Sequence, residues 1–98
     1  MYMKIHETRL GKIVAVCDDD IIGKILTEKD TVLDLAKYKD FYKGKKSTPE
    51  EIKFALNGFS SANIVGKNSV EIIISTGLAS HDHIKFVQQV PYIQIYNL

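Results

Sequence analysis

The chain has 98 residues, of which 45% are hydrophobic and 26% charged, and its formal net charge is +1 at pH 7. These values predict one globular domain, residues 1–98, and exclude a disordered chain. No apolar run reaches the roughly 20 residues that span a bilayer, and no signal core follows the N-terminus. A single cysteine, Cys17, excludes an internal disulfide, so we expect a cytoplasmic protein with no membrane partner.

The first half of the chain predicts short strands. Alternation over residues 2–8 and an apolar run over 12–17 predict a β-hairpin that turns at Gly11. Three acids at 18–20 predict a helix cap or a turn. Residues 23–26 resume an extended path, and residues 31–35 predict a further strand. Residues 38–46 combine lysines with aromatic residues and predict a surface loop or a sheet edge.

The second half predicts two helices and further strands. Thr48, Pro49 and Glu51 form a capping-box pattern that starts a helix ending near Gly58. After an extended piece at 61–65, a second helix is predicted with Asn68 or Ser69 as its cap and a glycine at position 77 as its stop. Residues 84–87 and 92–96 are extended. The order predicts an α/β or α+β fold, with a mixed sheet of about five or six short strands and two principal helices.

Short pieces with a characteristic order and spacing run along nearly the whole chain, at residues 4–7, 14–18, 23–24, 62–66, 70–71, 77–78, 90–91 and 94. In this order they resemble the archaeal family called domain of unknown function 424. The resemblance implies a small single-domain archaeal protein with no assigned biochemical role, in the company of translation genes. Tyr92 departs from the pattern, which has a histidine after the Val-Pro pair, so a role for an imidazole there is not expected.

A basic segment is the main candidate for partner binding. Residues 37–46 hold five of the thirteen positive charges and one acid, Asp40. Lysines pair with phosphates, and aromatic rings stack on unpaired bases, so the segment indicates an RNA contact. The alternative is a solvated loop with its aromatics in the core. The predicted nucleic-acid contacts are Lys37, Tyr38, Lys39, Tyr42, Lys43, Lys45 and Lys46, with Lys67 extending the patch.

A possible anion-binding loop precedes the second predicted helix. Free N–H groups at a helix start, a glycine and a nearby lysine are able to hold a phosphate. The candidate residues are Asn63, Gly66, Lys67, Asn68 and Ser69. The spaced glycines of a P-loop are absent, and ordinary helix capping is the alternative interpretation.

Catalytic and metal chemistry have weaker candidates. Cys17 is a possible nucleophile with His6 as its base, although the acids that follow Cys17 oppose a lowered thiol pKa. The sequence around His81 predicts a polar turn, and we expect no metal and no cofactor. The leading hypothesis is a non-enzymatic RNA-binding module associated with translation. The alternatives are a small enzyme or ligand-binding protein, or a protein-interaction subunit that self-associates through a sheet edge at residues 92–96.

Overall fold

The structure, a computed structural model, describes residues 1–97 as a small α+β domain, as the sequence predicts. Its elements are β1 (Tyr2–Thr8), β2 (Gly11–Cys17), β3 (Ile25–Glu28), β4 (Thr31–Asp34), α1 (Lys39–Tyr42), β5 (Lys45–Lys46), α2 (Pro49–Ala55), β6 (Phe59–Val65), α3 (Lys67–Thr76), a 3-10 turn (His81–His83), β7 (Lys85–Val87) and β8 (Val90–Tyr96). Among the described residues, no helix is long and apolar enough to cross a membrane.

Six strands form one mixed sheet in the order β5-β1-β2-β6-β8-β7, and β3 and β4 form a separate hairpin. The central strands β2 and β6 run parallel, whereas the other neighbours in the sheet are antiparallel. A parallel pair requires a crossover connection. Here the crossover carries the β3–β4 hairpin, α1, β5 and α2, and it therefore contains the whole basic segment.

The predicted N-terminal hairpin is confirmed. Thr8 pairs with Gly11, so β1 and β2 are joined by a two-residue loop. Gly11 has a φ of +122°, and a Cβ atom there would lie 1.8 Å from the Oγ of Ser60. Both the backbone conformation and the close approach of β6 therefore require glycine at this turn.

Both principal helices are confirmed. Thr48 caps α2: its Oγ1 accepts from the Glu51 N–H at 3.2 Å, and the Glu51 carboxylate accepts from the Thr48 N–H at 3.0 Å. The second helix, α3, ends at Gly77 in the left-handed conformation. Its predicted cap is wrong, because Asn68 and Ser69 lie within the first turn and Gly66 occupies the cap position. The segment at 38–46 is also more regular than predicted, since it contains α1 and β5.

Each face of the sheet carries its own hydrophobic cluster. The larger cluster packs α2 and α3 on the face that bears Val14, Val16 and Ile64. The smaller cluster lies on the opposite face, where Cys17 and Val65 pack under the β3–β4 segment. The smaller cluster covers one end of that face and α1 covers its β1 side. Among the described residues, no helix or hairpin lies over the part of that face formed by the first residues of β6 and the last residues of β8.

The prediction of an edge strand at residues 92–96 is only partly right. Strand β8 pairs with β6 from Tyr92 to Tyr96, and its other side pairs with β7 from Val90 to Tyr92. The strand is therefore internal at its start, because β7 folds back on it. From Ile93 to Tyr96, the side of β8 that faces away from β6 has no partner strand among the described residues.

Candidate nucleic-acid interface

Helix α1 is fixed on the second face of the sheet, against β1. The side chains of Tyr2, Lys4 and His6 share this face, since Tyr2 pairs with Cys17 and the strand alternates. The Lys4 ammonium donates to the Asp40 carbonyl at 2.7 Å. The His6 ring stacks on Phe41 with centroids 4.5 Å apart and planes 11° apart. The basic segment is thus held at a defined place rather than left as a free loop.

The five lysines of the basic segment are all exposed. Lys45 pairs with the Glu51 carboxylate at 3.3 Å, and Lys46 pairs with Asp19 at 3.5 Å. The Lys43 and Lys46 ammonium groups lie 5.8 and 5.6 Å from the Tyr2 ring centroid. Exposed ion pairs contribute roughly 0–1 kcal/mol, so these lysines exchange partners at little cost.

Asp19 lies on the border of the basic segment. A hydrogen bond with the Met1 amino group lowers the pKa of the Asp19 carboxyl, and Lys46 lowers it further. This carboxylate neutralises part of the local positive charge. The unopposed positive charge therefore lies mainly on Lys37, Lys39 and Lys43, which form no ion pair within residues 1–97.

The aromatic residues of the basic segment differ in their accessibility. Tyr38 is 53% exposed, with the Lys37 ammonium 5.5 Å from its ring centroid. Tyr42 is half-buried against the smaller cluster, and burial, followed by the charge on Cys17, raises its pKa to about 12. Tyr38 is therefore available for stacking, whereas Tyr42 is a packing residue in this structure.

Lys67 lies apart from the basic segment. It starts α3 and lines a groove of about 230 Å³ with Glu71, Phe86 and Pro91. That groove is on the β8–β7 side of the domain, whereas Lys45 and Lys46 lie at the β5 edge. The structure therefore does not bring Lys67 into one patch with the five lysines.

The predicted anion-binding loop already holds a carboxylate. Asp18 is 5% exposed, and its side chain accepts from the N–H groups of Asn68 and Ser69 at 3.0 and 2.8 Å. It also accepts from the Ser69 hydroxyl at 2.6 Å. At Gly66, a Cβ atom would lie 2.3 Å from the Asp18 Cγ, and Asn63 lies away from this site, within β6. The carboxylate of Asp18 thus occupies the helix start that was a candidate phosphate site, and the alternative interpretation, helix capping, describes these contacts.

Cys17 and His6 do not form a nucleophile–base pair. Cys17 is fully buried, and burial, followed by the charge of Asp18, raises its pKa to about 12. Cys17 pairs with Tyr2, whereas His6 pairs with Ile13, four positions further along β1. At about 3.3 Å per residue, this separates the two side chains by about 13 Å.

In the histidine-rich turn, the His83 ring forms a hydrogen bond that stabilises the turn itself. The Nδ1 atom of His83 accepts from the Ser80 N–H at 3.0 Å and closes the 3-10 turn. Among the described residues, no group of three or more His, Cys, Asp or Glu side chains converges as in a metal site.

A set of mainly polar residues on the second face matches no motif in the sequence. We call Ile13, Ser61, Asn63, Gln94 and Tyr96 the open strip. Ile13 pairs with Ser61, which pairs with Tyr96, and Asn63 pairs with Gln94. The alternation of these residues with Ala62, Ile64, Ile93 and Ile95 is visible in the sequence. Only the strand register shows that they form one surface.

The chain is thus a small α+β domain with a basic helical segment beside a partly uncovered sheet. Residues 5–98 match the family described as Protein of unknown function (DUF424), and the chain belongs to that family. It is similar to the crystal structure of an uncharacterized conserved protein from Methanopyrus kandleri, with 27% identity and a TM-score of 0.80 over 97% of this chain and 89% of that one. That organism suggests an archaeal origin. No curated protein matches the chain.

Proposed function

We propose that the protein is a non-enzymatic, cytoplasmic RNA-binding module that acts with the translation apparatus. The observation that carries the proposal is the basic segment itself, whose helix α1 is fixed on the sheet while its lysines stay exposed. The association with translation rests on the family resemblance alone. Ribosomal RNA and tRNA are therefore the natural probes.

The proposed contacts follow from the accessibility of each side chain. The lysines without an ion pair within residues 1–97, Lys37, Lys39 and Lys43, contact phosphates directly. Before Lys45 and Lys46 contact a phosphate, they leave the carboxylates of Glu51 and Asp19. Tyr38 is the exposed ring that stacks on a base. Contact with about three to five phosphates of a single strand gives a salt slope of about −2 to −3.5 in log K against log salt concentration.

Filter binding to tRNA and ribosomal RNA at rising salt tests this proposal. The test variant replaces Lys37, Lys39 and Lys43 by Gln. The matched control replaces Lys24, Lys29 and Lys53, which are also exposed, so both variants lose the same net charge. We expect the test variant to bind more weakly, with a salt slope reduced by about 2, and the control to retain most of its affinity. Equal affinity of the two variants would sink the proposal.

A protein-interaction role is the second candidate, and one observation favours it. A groove of about 710 Å³ runs between β1 and α2, with Ile5 42% and Phe54 78% exposed along it. Light scattering over a concentration series tests self-association through this surface. A dimer that Phe54→Ala dissociates would support it, and a monomer at every concentration would exclude self-association. The enzymatic alternative has no comparable support, because Cys17 is buried and far from His6.

A further inference from the structure

We infer that the open strip is a platform for single-stranded RNA, on which Tyr96 stacks a base and Asn63 and Gln94 bind base edges. This inference rests on the proposed RNA-binding function and specifies its ligand as unpaired nucleotides. In this arrangement the bases bind at the middle of the sheet, whereas the lysines contact the phosphates.

The register of the central strands builds the strip in two rows. One row runs from Ile13 through Ser61 to Tyr96, and the next runs from Ala15 through Asn63 to Gln94. Strands lie about 4.8 Å apart, so each row spans about 10 Å across β2, β6 and β8. The sheet therefore holds these side chains at fixed spacings, which a surface that binds successive nucleotides of one strand requires.

The polar side chains of the strip are not used by the fold. Gln94 is exposed and Ser61 and Asn63 are partly buried, and within residues 1–97 none of these side chains forms a hydrogen bond with another protein group. Each amide has both donors and an acceptor, the combination that pairs with the edges of bases. Polar residues are usual on a solvated sheet face, so the feature that fits a nucleotide is the combination of these unused hydrogen-bonding groups with the exposed ring of Tyr96 on the same face.

Tyr96 supplies the stacking surface. Its side chain is 65% exposed beside Ser61, although its strand is anchored by Ile93 and Ile95, which are buried on the other face. Stacking on such a ring requires a base that is free of its own helix. Paired RNA presents mainly backbone and a shallow minor groove, so the strip favours single strands.

The charges around the strip are complementary to RNA. None of the five residues of the strip is acidic. On its β1 border, Lys4 contacts the Asp40 carbonyl and His6 stacks on Phe41, so both residues hold α1 there. Helix α1 packs on that border and brings the exposed lysines of the basic segment to the same side. A strand whose bases lie on the strip has its phosphates directed toward this border. By contrast, the groove beside α2 is lined by Glu50 and Glu51 as well as by lysines.

Fluorescence anisotropy with a labelled 12-nucleotide mixed-sequence RNA, single-stranded or annealed to its complement, tests the inference. The variants are Tyr96→Ala, Tyr96→Phe and the double variant N63A/Q94A. The control is Phe54→Ala, which removes a ring that is still more exposed, 78% against 65% for Tyr96, on the other face. We expect Tyr96→Ala to weaken single-strand binding by about 5- to 150-fold, because stacking is worth roughly 1–3 kcal/mol per base. Tyr96→Phe and Phe54→Ala should bind like the unaltered protein.

The outcomes separate this inference from the proposed function. Loss of affinity in Tyr96→Ala and N63A/Q94A, with circular dichroism spectra and melting temperatures unchanged, supports the platform. Unchanged affinity in both, while the Lys37/Lys39/Lys43 variant binds weakly, overturns the platform and leaves the proposed function standing. Equal affinity for duplex and single strand also overturns it. If the unaltered protein binds neither RNA at low salt, the proposed function and the inference fall together.

Discussion

Removing the carboxylate of Asp18 should destabilise the protein more than any other single change to its acidic turn. In Asp18→Ala, the N–H groups of Asn68 and Ser69 and the Ser69 hydroxyl lose their protein partner. Loss of a helix cap costs about 0.5–2 kcal/mol. Leaving the donors of the fully buried Ser69 unsatisfied adds about 1–3 kcal/mol. We therefore expect a loss of about 3 kcal/mol, a large fraction of the roughly 5–15 kcal/mol that stabilises a domain of this size.

Urea unfolding followed by circular dichroism measures this loss. With an m-value of about 1–3 kcal/mol/M, the midpoint of Asp18→Ala should fall by about 1–3 M while m stays constant. Asp20→Ala is the matched control, because Asp20 is exposed in the same turn, and it should change stability by less than about 0.5 kcal/mol. Asp18→Asn should fall between them, since one amide oxygen replaces two carboxylate oxygens. If Asp18→Ala and Asp20→Ala unfold at the same urea concentration, the assigned role of the Asp18 cap is refuted.

Two further predictions concern the same region. Gly66→Ala should lower Tm by on the order of 10–20 °C, because its Cβ would collide with Asp18. The control Gly77→Ala also lies at positive φ, in the left-handed helical region, and has no atom within 4 Å of the added Cβ. It should cost only about 1–2 kcal/mol, and a loss equal to that of Gly66→Ala would contradict the clash. Burial raises the pKa of Cys17 from 9.0 and that of Tyr42 from 10.0, both to about 12, so the native state keeps protons that the unfolded chain has lost. Stability should therefore fall as pH rises from about 9 to 12. Urea midpoints measured over this pH range should fall less steeply for Cys17→Ala and for Tyr42→Phe. A dependence of the midpoint on pH identical to that of the unaltered protein would contradict this.

Local signals predict the two principal helices well. The capping box at Thr48 lies within four residues, so the sequence contains all its partners. The β-branched run at 72–74 favours a strand by propensity, yet α3 forms there, because Gly77 ends it and its apolar face packs on the sheet. Such features depend on neighbours in the chain, and the sequence reveals them directly.

Features that depend on distant partners are not predictable in this way. Asp18 has the sequence context of a local cap, but it caps a helix 50 residues away, where β2 and β6 end side by side. The register between β6 and β8 brings Asn63 beside Gln94 and so creates the open strip. Periodicity shows which residues share a face of a strand, but it does not show which strands are neighbours.

The parallel pairing of β2 with β6 also governs how the chain reaches its native state. The β1–β2 hairpin closes over a two-residue loop, and hairpins of this kind form in about 1–10 μs. By contrast, the Asp18 cap joins residues that are separated by 50 and 51 positions in the chain, and the centre of the sheet also requires distant strands to pair. The entropy of closing so long a loop is lost before those contacts form, which slows folding. During synthesis, the β2 edge of the hairpin therefore emerges and waits unpaired until residues 59–65 have followed it.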